Sequence, residues 1–136
     1  MSLSESPVLS TSAGPEALHE IEAALEKVWS DNDHVPVITR MQVGIAVGEI
    51  AANIIRYAAS GLQVQIHMHV AILPKQVKVE FVDNGHPAEI DLSAVEMPDD
   101  FAESGRGLAL AQAALESLSY QRNAHNHWIL VSKPFA

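Results

Sequence analysis

The chain has no cysteine among its 136 residues. Disulfide staples and thiolate metal sites are therefore excluded, and the fold must rest on its own core. Basic residues are scarce: eight Lys and Arg stand against 17 Asp and Glu, for a net charge of −9. A general nucleic-acid surface needs a basic face, so direct nucleic-acid binding is not expected. The deficit does not exclude a nucleotide, whose phosphates a few local donors can hold. Charged residues make up only 18% of the chain and hydrophobic ones 48%, a composition of folded rather than disordered protein. No apolar run approaches the roughly 20 residues of a membrane span. The start, MSLSESPVLS, has neither a basic region nor a long apolar stretch. Neither a membrane span nor a signal peptide is expected, and a cytoplasmic protein is the default. The length suits one domain with a real core.

What is present is organised around Gly44 to Gly61, GIAVGEIAANIIRYAASG. The spacing predicts a helix, starting near Val37, with Val43, Val47, Ile50 and Ile54 on one stripe. Gly44, Gly48 and Ala51 form a small-residue face beside it. Glu49, Asn53 and Arg56 fall on a third face, four and three residues apart. A carboxylate, an amide and a guanidinium in one row are either the exposed strip of a core helix or a pocket wall that meets a metal or an anion.

The rest of the chain reads as elements around that helix. Residues 1–13 are Ser-rich and expected to be loose, with room for an edge strand over 7–10; residues 14–136 are expected to form one domain. Pro15 opens a helix in which Leu18, Ile21, Leu25 and Val28 recur, running through Trp29. Residues 64–73 alternate with period two, Val64, Ile66, Met68, Val70 and Ile72 facing one way, and residues 77–82 repeat the pattern with Val77, Val79 and Phe81. Pro74-Lys75-Gln76 joins them as a hairpin. Residues 86–104 read as a long irregular segment, a length often associated with function. A helix is expected over 107–118, then a hairpin of 118–122 with 127–133. Helices, hairpin, helix, hairpin predict an α+β, two-layer sandwich: a mixed, mostly antiparallel sheet covered on one face by helices.

Three places can carry chemistry. The Glu49/Asn53/Arg56 row is the first. The second is Asp83-Asn84-Gly85 at a strand end: a carboxylate there accepts well from an exocyclic amine, and the glycine permits a tight turn near a ligand. Alone it also reads as an ordinary turn. The third is Gly105-Arg106-Gly107-Leu108, opening a helix whose backbone N–H groups and dipole favour an anion, or simply a flexible helix start.

In this order and spacing the three motifs together resemble the N box and two glycine boxes of the GHKL ATPase superfamily. EIAANIIRYA is similar to the N box, VEFVDNGHP to the first glycine box and ESGRGLALAQ to the second. Within the superfamily the chain resembles, from about residue 15 to 133, the anti-sigma factor serine/threonine protein kinases of partner-switching systems. The resemblance implies a Bergerat ATP-binding fold and the cofactors ATP and Mg²⁺. It implies that Asn53 ligates Mg²⁺ and that Glu49 is the general base for a serine or threonine hydroxyl. It implies that Asp83 reads the adenine amine, with Gly85 giving the base room. Gly105, Gly107 and Leu108 would belong to the phosphate-binding turn, and Arg106 would neutralise γ-phosphate charge. Arg56 would contact phosphate, or else only hold Glu49 or a partner. Residues 91–104 would form a lid. One position departs from the superfamily pattern: its second glycine in the first glycine box is Pro87 here.

The resemblance further implies a STAS-type anti-anti-sigma protein as substrate, a sigma factor as the sequestered partner, and makes a homodimer plausible. A partner-switching module that binds ATP or ADP with little or no transfer is the alternative. An unrelated α+β interaction domain would require all three motifs to be accidents. The alternating histidines, His67 with His69 and His125 with His127, are of a type that binds zinc or copper, but no carboxylate or cysteine accompanies them at a convincing spacing. They are expected to be exposed or interfacial.

Overall fold

A computed structural model describes residues 8–88 and 106–136, apart from the side chain of Arg106. Two long alternating hairpins and three helical stripes must hide one apolar face each, and they do so against one another. Strand β1 (Leu9–Ser12) leads into helix α1 (Ala17–Asp31) and helix α2 (Val37–Asn53), which continues into a π-helical turn, Ile54–Ala58. Strands β2 (Gln65–Ile72) and β3 (Val77–Asp83) follow, then helix α3 (Arg106–Ala114) and strands β4 (Leu115–Arg122) and β5 (Asn126–Ser132). The sheet runs β1-β2-β3-β5-β4, and all four pairings are antiparallel.

The period-two pattern is met in the strands. Val77, Val79, Phe81 and Asp83 of β3 are buried, and so are Asn126, Trp128, Leu130 and Ser132 of β5. These inner positions meet Ile21, Leu25 and Trp29 of α1, Val43, Val47 and Ile50 of α2, and Leu108 and Ala111 of α3 in one core. The opposite sheet face, with His67, Glu80 and His127, is only partly covered by the described residues. This is the α+β sandwich expected from the order of elements, with helices on one face of an antiparallel sheet.

Several local expectations are corrected. The edge strand for which residues 7–10 left room is β1, displaced to Leu9–Ser12, whose residues Leu9 and Ser12 pair with Met68 and Gln65. The last helix ends at Ala114 rather than near 118. Residues 115–118 instead join β4, where ladder bonds to β5 outweigh an apolar spacing that suits either state. Helix α2 and its π turn together make 22 continuous residues, Val37–Ala58, long and apolar enough to cross a membrane by length and composition. The helix length agrees with the one expected from Val37 toward Gly61, while Arg40, Glu49 and Arg56 break its sequence into shorter apolar runs. Its inner face is nevertheless spent on the core, with Val43, Ala46, Val47, Ile50, Ala51 and Ile54 buried.

The outer face of α2 has no cover among the described residues: Val37, Ile38, Met41 and Ile45 are each at least half exposed. Beside them runs a groove of about 670 Å³ against α1, floored by Gly44 and Gly48. A Cβ at either glycine would meet nothing within 4 Å, so of the small-residue face Gly44 and Gly48 lie open while Ala51 is buried in the core.

Candidate functional site

Asp83 is the last residue of β3 and is completely buried. Strand alternation turns its side chain to the core face, and pairing with β5 sets it opposite Asn126. Its Oδ1 accepts from the backbone N–H of Gly85 at 2.9 Å and from Nδ2 of Asn126 at 2.8 Å. Its Oδ2 is buried and has no hydrogen-bond partner among the described residues. Burying a carboxylate oxygen without a donor is costly, so such an oxygen marks a place where a donor is to be supplied.

The backbone around this carboxylate is tightly built. The N–H of His86 donates to the carbonyl of Ala58 at 2.8 Å, tying the turn after β3 to the π turn after α2. A Cβ at Gly85 would stand 2.4 Å from that same carbonyl oxygen, so close approach requires glycine here. Asn84 accepts from the backbone N–H of Gln65 at 2.8 Å, which anchors the turn to β2. Asn53, Tyr57, Ala58, His86, Asn126 and Trp128 line a cavity of about 30 Å³ over this region. That is far too little for a purine, so a base enters only if the exposed rim of Tyr57, His86 and Pro87 shifts.

The organising helix brings Glu49 and Asn53 to the same end of the sandwich, but not in the straight row expected. The π turn starts immediately after Asn53, and its wider winding takes Arg56 off the Glu49–Asn53 line. Arg56 is exposed, with its guanidinium 5.7 Å from the centroid of the Tyr57 ring, and no ion pair joins it to Glu49 among the described residues. The half-buried Glu49 instead abuts the start of α3: a Cβ on Gly107 would lie 2.3 Å from its Oε2. Leu108 is buried in the core and anchors that helix start. Gly105, the Arg106 side chain and the segment expected as a lid, 91–104, lie outside the described residues.

Asn126 is the residue that sequence reasoning missed. It sits at the head of β5, is 1% exposed and makes the polar centre of the site. Besides Asp83, its Nδ2 donates to the carbonyl of His86 at 2.8 Å. Its Oδ1 accepts from the Tyr120 hydroxyl at 2.5 Å and from Arg122 Nη1 at 3.0 Å. Tyr120 in turn accepts from the Ala88 N–H at 2.8 Å and packs its ring on Trp128, centroids 4.6 Å apart. Arg122 Nη1 also donates to the carbonyl of Gly85 at 2.8 Å. In sequence Asn126 is one polar residue in an NAHNH turn, and only the β3–β5 register reveals its partner.

The histidines are partly engaged elsewhere. His67 Nδ1 is 2.8 Å from the Ser10 hydroxyl, and His127 Nδ1 is 3.3 Å from Glu80. A carboxylate thus does accompany them, on the neighbouring strand where one-dimensional spacing cannot show it. No cluster of three or more metal-ligating side chains occurs among the described residues.

These residues suit a nucleotide. The bare Asp83 oxygen matches an amine donor, Gly85 leaves no space for a side chain, a side chain at Gly107 would meet Glu49, and Asn53 lines the cavity. A Mg²⁺ held by few protein groups, with water and phosphate completing its shell, needs no cluster of carboxylates. The fold and site therefore define an α+β sandwich domain with a candidate nucleotide site.

Comparison with known proteins makes the class specific. Residues 11–133 match the histidine kinase-like ATPase domain, and the chain belongs to that family. Its fold is similar to the histidine kinase domain of the blue-light-activated kinase from Erythrobacter litoralis EL346, with 16% identity and a TM-score of 0.57. That match covers 82% of this chain but 60% of the kinase chain. It is similar also to a chain of the SiaB-SiaC complex from Pseudomonas aeruginosa, with 14% identity, a TM-score of 0.60 and 95% and 91% of the two chains covered. The nucleotide-free catalytic domain of the histidine kinase ThkA gives 15% identity and a TM-score of 0.54, covering 91% and 95%. At such identities the likeness is one of fold. No curated protein sequence matches the chain.

Proposed function

We propose that the chain binds Mg·ATP and transfers the γ-phosphoryl group to a serine or threonine hydroxyl of a STAS-type anti-anti-sigma protein, and that it sequesters a sigma factor. The observation that carries the nucleotide reading is the buried Asp83 carboxylate with one unpartnered oxygen beside a glycine that has no room for a side chain. Asp83 accepts from the adenine amine. Asn53 offers its oxygen to Mg²⁺, which when bound neutralises phosphate charge. Glu49 takes the proton of the acceptor hydroxyl as the new P–O bond forms and the bond to the β-phosphate breaks, releasing ADP. Gly105 and Gly107 present backbone N–H groups, and Arg106 and Arg56 supply positive charge.

Protein partners are supported by the bare apolar face of α2 and by the fold likeness to a chain crystallised in a complex named for two proteins. A homodimer and a cytoplasmic location are in keeping with this reading. Binding without transfer is the second reading, and one observation favours it: Glu49 is packed against Gly107 rather than free to meet a hydroxyl. Calorimetry with MgADP on the wild type and on Asp83→Asn tests the site. No binding by the wild type at millimolar nucleotide overturns it, and equal binding by the two proteins removes Asp83 as the adenine reader.

A further inference from the structure

Asn126 is the one buried polar side chain at the site for which the reading above has no role. All four of its hydrogen-bonding positions are used. One N–H goes to Asp83 Oδ1 and the other to the His86 carbonyl, while its oxygen accepts from Tyr120 and Arg122. The Tyr120 hydroxyl accepts from the Ala88 N–H, so its own proton is left for Asn126. Two donors on one side and two acceptors on the other admit a single orientation of the amide. The amide nitrogen must face Asp83.

We infer that Asn126 is a positioning residue that sets base specificity: it occupies one oxygen of Asp83 and leaves a single, fixed acceptor for the 6-position of a purine. The inference rests on the nucleotide reading of the site. Gly85 N–H and Asn126 N–H both hold Oδ1, which fixes the plane of the carboxylate and aims Oδ2. A 6-amino group donates to that oxygen. A 6-oxo group brings acceptor against acceptor at a buried oxygen, and sites of this kind discriminate strongly. Without the Asn126 N–H the carboxylate can turn or take a water, and the distinction between amino and oxo fades. The same amide reaches, through Tyr120, the N–H of Ala88, so the base reader and the chain leaving the site share one network.

The test is calorimetric titration of the full chain with MgADP and MgIDP, which differ at the 6-position and the N1 proton it dictates. Wild type is expected to favour ADP by about 100-fold or more. Asn126→Ala is expected to lower that ratio by about tenfold or more, with thermal melting confirming that the variant is folded. Should Asn126→Ala not fold, Asn126→Ser, too short to hold Asp83 as the amide does, is the second route to the same fall. The double variant Tyr120→Phe with Arg122→Ala removes both donors from the amide oxygen, but the amide N–H still faces two acceptors there, so that variant should keep the ratio. An unchanged ADP/IDP ratio in the folded Asn126 variant, even with both affinities reduced together, makes Asn126 merely structural and overturns the inference. So does a wild-type ratio near one. Failure of wild type to bind ADP at all instead overturns the nucleotide reading, and this inference with it.

Discussion

At the candidate site, Asp83 and Gly85 stand under different physical constraints, one of hydrogen bonding and one of space. Asp83→Asn replaces one carboxylate oxygen by an NH₂ group. That group faces either the Asn126 N–H or the incoming amine, donor against donor in both cases. The expected effect is a loss of about 1–3 kcal/mol in MgADP binding, read by calorimetry. Gly85→Ala acts on the fold instead. Its Cβ would lie 2.4 Å from the Ala58 carbonyl oxygen, a backbone atom that cannot rotate away. The His86–Ala58 hydrogen bond would be strained with it. A destabilisation of about 1–3 kcal/mol is expected by urea titration, as for overpacking. Unchanged stability would show that the turn after β3 is not held against the π turn.

At the scale of elements, the end of α2 meets the start of α3. Glu49→Gln preserves size and hydrogen bonding, so MgATP binding should persist while single-turnover transfer to a cognate STAS protein falls by about 10²–10⁴-fold. Asn53→Ala should weaken binding and transfer together. Transfer at the wild-type rate in Glu49→Gln would end the general-base role. Gly107→Ala probes the same contact from the other side. Its Cβ would stand 2.3 Å from Glu49 Oε2, the far end of a flexible side chain, so the fold can yield by displacing Glu49. Little change in melting temperature and a loss of transfer comparable to Glu49→Gln are expected. Normal transfer would mean that the position of the Glu49 carboxylate is unimportant.

Across the whole molecule, the sheet's buried face and the inner helix stripes form one core, while α2 keeps an apolar face to spare. Phe81 is completely buried at its middle, and Phe81→Ala is expected to lose about 3–5 kcal/mol of stability in denaturant unfolding. Ile45 is 50% exposed on the outer face of α2 and contributes little to that core. Ile45→Glu should therefore leave melting and MgADP binding near wild type while weakening association with the antagonist or the sigma factor in gel filtration. Undiminished association would place the partner surface elsewhere.

Periodicity and motif chemistry alone determined much of this protein. Val77, Val79 and Phe81 announced a strand with one buried face, Ile21, Leu25 and Trp29 a helix against it, and the order of elements an α+β sandwich. Asp83, Gly85, Glu49 and Asn53 were legible as candidates because their residue types and local spacing carry the chemistry. Helix period and strand period are properties of neighbouring residues, so sequence displays them directly. Tertiary structure alone decided the rest. The π turn moved Arg56 off its row, because a change of winding leaves no sign in spacing. Ladder bonds to β5 turned residues 115–118 into strand. Pairing of β3 with β5 set Asn126 against Asp83, 43 residues away, and left the other carboxylate oxygen bare. Which polar group meets which across a sheet depends on register, and register is settled only when both strands have buried their apolar faces.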